Sequence, residues 1–352
     1  MATSLRDLVT VIVTTSAIPS NPSTSVLEDV LTSFSFVPGL NSCDTILTCD
    51  GYVLKSTEGE SKFKSMRINE DELANYLEYQ ERARIVFRRH LGYEDAEAGS
   101  LHSSTSSTST IRIGARLRAE TTVVSNVLDG KPSFHTITCT KRLGFALAVR
   151  EALKLVTTPY ILIHQHDWTF LHPIDLASLC HTMNAHRNIL HYIGFSSRKS
   201  LRRTQRPHPC LPPAPAQTFG PHVLSPLFFW YDKPHVGRTS QYRSFVYGHG
   251  RFQTGDFIED TMGHAMLADL KHRGMSGHAD YGTWTYVNQH MTHEPTLRHR
   301  SGRHFRETVF LRSSKKKGKQ DVPRGMATGD SGHDGARCPL ESGSSDDSAD
   351  DE

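Results

Sequence analysis

The segment Thr157 to Phe170, TTPYILIHQHDWTF, decides most about how this chain folds. An apolar run, Tyr160 to Ile163, ends abruptly in His164, Gln165, His166, Asp167 and Trp168. Short, β-rich and bounded by Thr-Thr-Pro, it reads as a buried parallel strand with a polar cluster at its C-terminal end. In open α/β sheets, ligands bind at that end. A helical pattern precedes it, KRLGFALAVREALKLV, with Leu143, Ala146, Leu147, Arg150 and Leu153 spaced along one face. The order helix, strand, acidic tip makes Asp167 the first candidate for chemistry.

The same grammar recurs along the chain. Leu8 to Thr15 is a β-branched strand, followed by a helix expected from Pro22 with Ser20 or Asn21 as its cap. Thr45 to Cys49 is a second strand and ends in Asp50-Gly51. Asp71 to Leu91 carries the longest amphipathic helical pattern. Ile111 to Leu117, Thr121 to Val124 and Phe134 to Cys139 read as short strands, with Thr140 capping the next helix. A helix over Pro173 to His186 and a strand over Leu190 to Phe195 follow. From Gly255, GDFIEDTMGHAMLADLKHRG reads as a helix opened near Asp256 and closed by Gly274, before a last strand, Tyr281 to Val287. Strands alternating with helices predict an α/β fold with a mostly parallel central sheet flanked by helices. We expect one domain over 1–312, with a Ser/Thr-rich loop at 98–110 and a Pro-rich loop at 205–226, and a disordered charged tail over 313–352.

Composition narrows the function. A formal net charge of +3 is too small to argue for nucleic acid, and no nucleic-acid-binding motif accompanies the basic patch Arg198 to Arg206 or the knot Lys315 to Lys319. That knot reads as a solvated spacer, with nuclear targeting as the minority reading. The 6 cysteines include no CxxC pair, so they read as buried thiols of a reducing, cytoplasmic compartment. LVTVIVTTSAIP is too short to span a bilayer and lacks the pattern of a signal peptide, so no membrane insertion is expected.

The ordered set of a β-rich first strand, a strand ending in Asp50, a Lys-Arg-x-Gly segment, a strand ending in Gln-His-Asp and a later Glu-Asp helix resembles the GT-A fold glycosyltransferases, nearest to family two. The resemblance spans about residues 8 to 306. It implies a Rossmann-like domain that moves a sugar from a nucleotide-diphosphate donor to a hydroxyl of a glycan, protein or small-molecule acceptor, with a divalent cation, Mn2+ or Mg2+, as cofactor. Gln165, His166 and Asp167 match the family's metal-binding DxD motif, departing from it at Gln165. The resemblance gives Asp167 the metal, with His299 beside it. It puts Thr14, Thr15, Asp50 and Arg142 with the nucleotide donor, and Arg300 and Arg303 of the HRSGR segment on its diphosphate. Glu259-Asp260 matches the Glu-Asp motif, whose aspartate is the catalytic base of inverting members.

The residue types suit that chemistry. A hard carboxylate at Asp167 holds magnesium or manganese, and an imidazole at His166 or His299 favours the softer manganese. Arginine forks at Arg298, Arg300 and Arg303 match phosphate oxygens in a way lysine cannot. Asp260, at a helix start that favours ionised carboxylates, suits a proton acceptor. Trp168 and Trp284 are candidate sugar-stacking platforms. Two other readings compete. One is a catalytically degenerate fold that binds a nucleotide or glycan, motivated by Gln165; the other is a zinc hydrolase in which His164 and His166, on one side of the strand, join Asp167.

Overall fold

In a computed structural model, residues 3–55, 66–93, 102–113, 117–204, 214–249, 251–288 and 291–300 are described. A one-turn helix α1 (Leu5–Leu8) leads into β1 (Val9–Thr15), then α2 (Ser25–Ser33), β2 (Thr45–Cys49), the short strands β3 (Val53–Leu54) and β4 (Arg67–Ile68), and α3 (Glu70–His90). The middle of the chain supplies β5 (His102–Ile113), β6 (Leu117–Leu128), β7 (Phe134–Cys139), α4 (Phe145–Leu153), β8 (Tyr160–Gln165), β9 (Trp168–Phe170), α5 (Leu176–Ala185), β10 (Tyr192–Gly194) and α6 (Arg198–Thr204). The rest is β11 (Gln217–Phe219), β12 (His222–Pro226), β13 (His235–Arg238), α7 (Thr239–Gln241), α8 (Tyr247–His249), α9 (His264–Arg273), α10 (Met275–Tyr281), β14 (Thr283–Val287) and β15 (Leu297–His299). Two 3-10 turns, Phe34–Phe36 and Leu40–Ser42, and two π-helical turns, Tyr242–Val246 and Glu259–Gly263, complete the described elements.

The order across the 11-stranded sheet is β11-β12-β14-β10-β13-β8-β1-β2-β7-β6-β5. Its centre, β8-β1-β2-β7, is parallel, while β13, β12 and β6 run against the other strands of the sheet. The fold is therefore α/β with a mostly parallel central sheet. β1 is buried at every position, as a strand covered on both faces must be. Its alternate residues face opposite layers: Val9, Val11 and Val13 join the core with Leu27, Val30, Tyr76 and Tyr79 from α2 and α3, and Ile12 joins the core with Ala146, Leu147 and Val149 from α4. The register pairs Thr14 with Gln165 and Thr15 with Cys49, which brings the C-terminal ends of β8, β1 and β2 to one height.

Several expectations need correction. The Ser/Thr run expected as a loop over 98–110 is strand β5 from His102 onward; it has no apolar alternation because Ser103 to Thr110 are exposed, and hydroxyls pair across to β6 instead, Thr108 with Thr122 at 3.1 Å and Ser109 with Thr121 at 3.0 Å. The second half of the Pro-rich loop over 205–226 is the β11–β12 hairpin at the sheet edge, turned by Gly220 at φ +56°, with Pro226 as the last residue of β12, past the segment that pairs with β11; residues 205–213 lie outside the described residues. The helix expected at Pro22 starts at Ser25, and Asn21 instead accepts a hydrogen bond from Ile18 N–H at 2.9 Å. Thr140 does not cap α4; it accepts from Glu120 N–H at 3.0 Å, tying β7 to β6, and Gly144 takes the cap position. The expected tail, 313–352, also lies outside the described residues. Among the described residues no helix is long and apolar enough to cross a membrane.

Two histidines are fully enclosed in the core. His164 packs between Phe34 and Phe170, and His235 stacks on Tyr192. Burial pushes their rings down to about 4 and about 3, so both are neutral in the folded state. An unfolded histidine takes up a proton near pH 6.5, so below that pH the unfolded chain binds more protons and the fold loses stability until the folded pKa values are passed. The melting temperature is expected to fall between pH 7 and pH 5. His164→Phe should flatten that slope, because over this range it removes a contribution of about 2 kcal/mol; an unchanged slope would contradict the assignment.

Candidate functional site

The aligned ends of β2, β1 and β8 form the floor. At the β2 end, Asp50 Oδ1 accepts from the backbone N–H groups of Gly51 at 2.8 Å and Leu143 at 2.7 Å, and Oδ2 accepts from Gly144 N–H at 3.1 Å. Tyr76 from α3 donates its hydroxyl to the Asp50 carbonyl at 2.7 Å. Burial pushes the carboxyl up to about 6, against the lowering effect of those amides and of Arg142. The structure thus spends Asp50 on anchoring the Lys-Arg-x-Gly loop beside the sheet.

That loop is pinned on its other side. A Cβ on Gly51 would lie 2.2 Å from the Lys141 backbone, and one on Gly144, at φ +86°, would lie 2.5 Å from the Gly255 Cα. Gly255 N–H donates to the Leu143 carbonyl at 2.7 Å, and Ala146 N–H donates to the Asp256 carbonyl at 3.1 Å. Arg142 lies against Gly255. The start of α4 and the approach to the Glu-Asp turn are therefore one backbone junction.

Thr14 and Thr15 are buried, and their carbonyls are occupied by His166 N–H at 3.0 Å and Asp50 N–H at 2.9 Å. The Thr15 hydroxyl pairs with the Tyr79 hydroxyl at 2.8 Å. Tyr79 is also within electrostatic reach of Asp167, which joins α3 to the β8 end.

At the β8 end the chain turns sharply from β8 into β9. β9 pairs antiparallel with β15, so His299 lies opposite Trp168. His299 Nε2 is 3.2 Å from Asp167 Oδ2, and Arg300 N–H donates to the Asp167 carbonyl at 2.6 Å. Burial pushes the Asp167 carboxyl up, but the charge of His166 and the hydrogen bond from His299 outweigh it and hold it below the usual carboxylate range. Asp167 Oδ1 and His166 Nε2 are both shielded from solvent with no hydrogen-bond partner in the structure. Such orphaned atoms are costly unless a ligand meets them. Among the described residues no three His, Cys, Asp or Glu side chains converge as a ready-made metal site. One carboxylate with an imidazole still fits a cation completed by phosphate oxygens and water.

Gln165 points elsewhere. Its Oε1 accepts from Trp168 Nε1 at 3.1 Å and its Nε2 donates to the Asp232 carbonyl at 3.3 Å. Asp232 and Glu259 bond reciprocally: Asp232 N–H donates to Glu259 Oε2 at 3.2 Å, and Glu259 N–H donates to Asp232 Oδ2 at 3.3 Å. Burial and the neighbouring Glu259 push the Asp232 carboxyl well above the carboxylate range. Asp260 follows on the π-helical turn and is exposed. Helical insertions of this kind are frequent at functional sites.

Other candidates are placed differently from expectation. Trp168 is 4% exposed, with Lys233 over its ring at 5.1 Å, and Trp284 is 2% exposed, so neither presents a face to a sugar. His164, with Nδ1 against the Gln165 carbonyl, is an aromatic-core residue rather than a zinc ligand. The Arg300 guanidinium pairs with Asp29 of α2. Arg303 lies outside the described residues. Asp232 and Tyr79 escaped the sequence reading; the one signal for Asp232 is an acid set within the apolar run LFFWYDKPHV.

No protein-family profile matches the chain, and no curated protein matches it in sequence. Solved structures that overlay on it include the mannosyltransferase PcManGT from Pyrobaculum calidifontis in complex with GDP-Man and Mn2+, at 11% identity and TM-score 0.34, covering 68% of this chain and 46% of that one. TarS of S. aureus overlays at 11% identity and TM-score 0.33, covering 67% and 29%. A CMP:2-keto-3-deoxy-manno-octonic acid synthetase complexed with CTP overlays at 8% identity and TM-score 0.34, covering 80% and 89%. The chain spans less than half the length of the first two.

Proposed function

We propose that this chain is a glycosyltransferase that moves a sugar from a nucleotide-diphosphate donor to an acceptor hydroxyl, with inversion at the anomeric carbon. The observation that carries it is Asp167: a carboxylate held ionised at the end of a parallel sheet, with one oxygen shielded and unpartnered, beside His166 and His299. Across the β8 end stands the Glu259-Asp260 turn, linked to it through Gln165 and Asp232.

The chain's own groups divide the work. Asp260, exposed on its turn, accepts the proton of the attacking hydroxyl, while Glu259 is held by Asp232 and orients the turn. The acceptor oxygen bonds to the anomeric carbon as the carbon–oxygen bond to the diphosphate breaks, and the electron pair leaves with the nucleoside diphosphate. Manganese or magnesium held by Asp167 with His166 or His299 would neutralise charge on that diphosphate. Arg142, held against Gly255 by the junction at Asp50 and Gly144, adds positive charge for the donor, while Arg300, its guanidinium paired with Asp29, fixes the β8 end by donating its N–H to the Asp167 carbonyl. Thr14 and Thr15 line the floor below the nucleoside. Buried thiols at Cys43, Cys49, Cys139 and Cys180 suit a reducing, cytoplasmic setting.

The test is a panel of UDP- and GDP-sugars with Mn2+ or Mg2+, read by nucleoside diphosphate release and by NMR of the product anomer. Release that depends on the cation, with an inverted product, is expected. Nucleotide binding without release would favour the catalytically degenerate reading instead, and no binding by any nucleotide sugar would discard the proposal.

A further inference from the structure

The position where this chain departs from an acidic DxD pattern is occupied by a side chain that both accepts and donates. Gln165 accepts from Trp168 and donates to the carbonyl of Asp232, and Asp232 is bonded both ways to Glu259, on the turn that carries Asp260. A carboxylate at 165 could accept from Trp168 but has no proton for the Asp232 carbonyl, and would set a negative charge against that carbonyl oxygen. The amide is thus required by its neighbours and is no mere loss of an acid.

We propose that Gln165 and Asp232 form a positioning relay that ties the end of β8 to the Glu259-Asp260 turn and so fixes the proton acceptor relative to the donor-binding strand end. Asp232 is enclosed and touches no substrate in this scheme; it acts through Glu259. The groups that face it are Glu259 and Asp260 from the turn, Tyr192 from β10, and Tyr242 and Tyr247 from the segment after β13. None of these is a cation, and the bond Asp232 makes to the turn is one its oxygen accepts from Glu259 N–H at 3.3 Å, which an asparagine oxygen could accept equally. Asparagine is then a fair replacement at 232 and glutamate a poor one at 165.

The catalytic part of this inference rests on the transferase reading, and the structural part does not. Hydrogen–deuterium exchange over residues 256–264 is measured in the full chain for wild type, Asp232→Ala, Asp232→Asn and Gln165→Glu, with melting curves to confirm that each is folded. Asp232→Ala and Gln165→Glu are expected to speed exchange in this segment roughly tenfold, and Asp232→Asn to leave it near wild type. On whichever nucleotide sugar of the panel turns over, the first two should lose roughly tenfold or more in kcat with donor KM within about twofold, and Asp232→Asn should rescue kcat. Unchanged exchange in both Asp232→Ala and Gln165→Glu would overturn the relay. A wild-type protein that turns over no nucleotide sugar would sink the transferase reading, and the exchange result would still decide the relay.

Discussion

Asp260→Asn is expected to lower kcat for glycosyl transfer by roughly a hundredfold to ten-thousandfold, the range of a lost general base, while nucleotide binding stays near wild type. The exposed turn gives the reason for both halves. Asp260 is exposed on a π-helical turn that is held through Glu259, so removing its charge leaves the turn and the strand ends in place. Asparagine keeps the shape and cannot accept the proton. Single-turnover kinetics with saturating donor measure the chemical step, and isothermal titration with the nucleoside diphosphate measures binding. A kcat within about threefold of wild type would assign proton removal elsewhere.

Asp50→Ala is expected to cost about 3–5 kcal/mol of stability, enough to unfold a marginal domain near physiological temperature. Three backbone amides, of Gly51, Leu143 and Gly144, converge on that carboxylate in a site 7% exposed. Removing it strands all three where water does not reach. The charge itself carries a cost, since the pKa is raised to about 6: the penalty for keeping Asp50 ionised appears as pH rises from its unfolded value and is complete above about pH 6. Asp50→Asn sheds that penalty but turns an NH2 group toward a backbone donor, so it should fall between wild type and alanine. Urea unfolding at pH 7 checks the ranking. An Asp50→Ala protein as stable as wild type would mean the loop is held by other contacts.

The central strands were legible because burial on both faces leaves its mark in sequence: Leu8 to Thr15, Thr45 to Cys49 and Tyr160 to Ile163 read as strands, and all but Leu8, the last residue of α1, are in strands. The long helix was equally clear from the amphipathic pattern over Asp71 to Leu91; the structure adds its cap, Asn69 with a reciprocal Glu72 bond. The ribbon β5–β6 was legible only in part: Thr121 to Val124 reads as a strand and lies within β6, while the Ser/Thr run of β5 read as a loop. An exposed edge strand needs no apolar period, and a run of serine and threonine looks like a loop until its hydroxyls find cross-strand partners.

The site was half legible. The structure puts His299 3.2 Å from Asp167, next to His166 in the chain, and ties Glu259-Asp260 to the β8 end through Asp232 and Gln165. What the sequence hid were long-range commitments. Asp50 is bonded to amides 93 and 94 positions away, and Asp232 meets Glu259 from 27 positions away. Such pairings leave no local period, so an acid at a strand end reads as a ligand-binding group whether it meets a ligand or a neighbouring loop.

The most direct measurement is titration of GDP and UDP in the presence and absence of Mn2+ into wild type, Asp167→Ala and Asp260→Asn. Cation-dependent binding that is lost in Asp167→Ala and kept in Asp260→Asn is the expected result. Binding that ignores both the cation and Asp167 would contradict the claim that the β8 end holds the diphosphate.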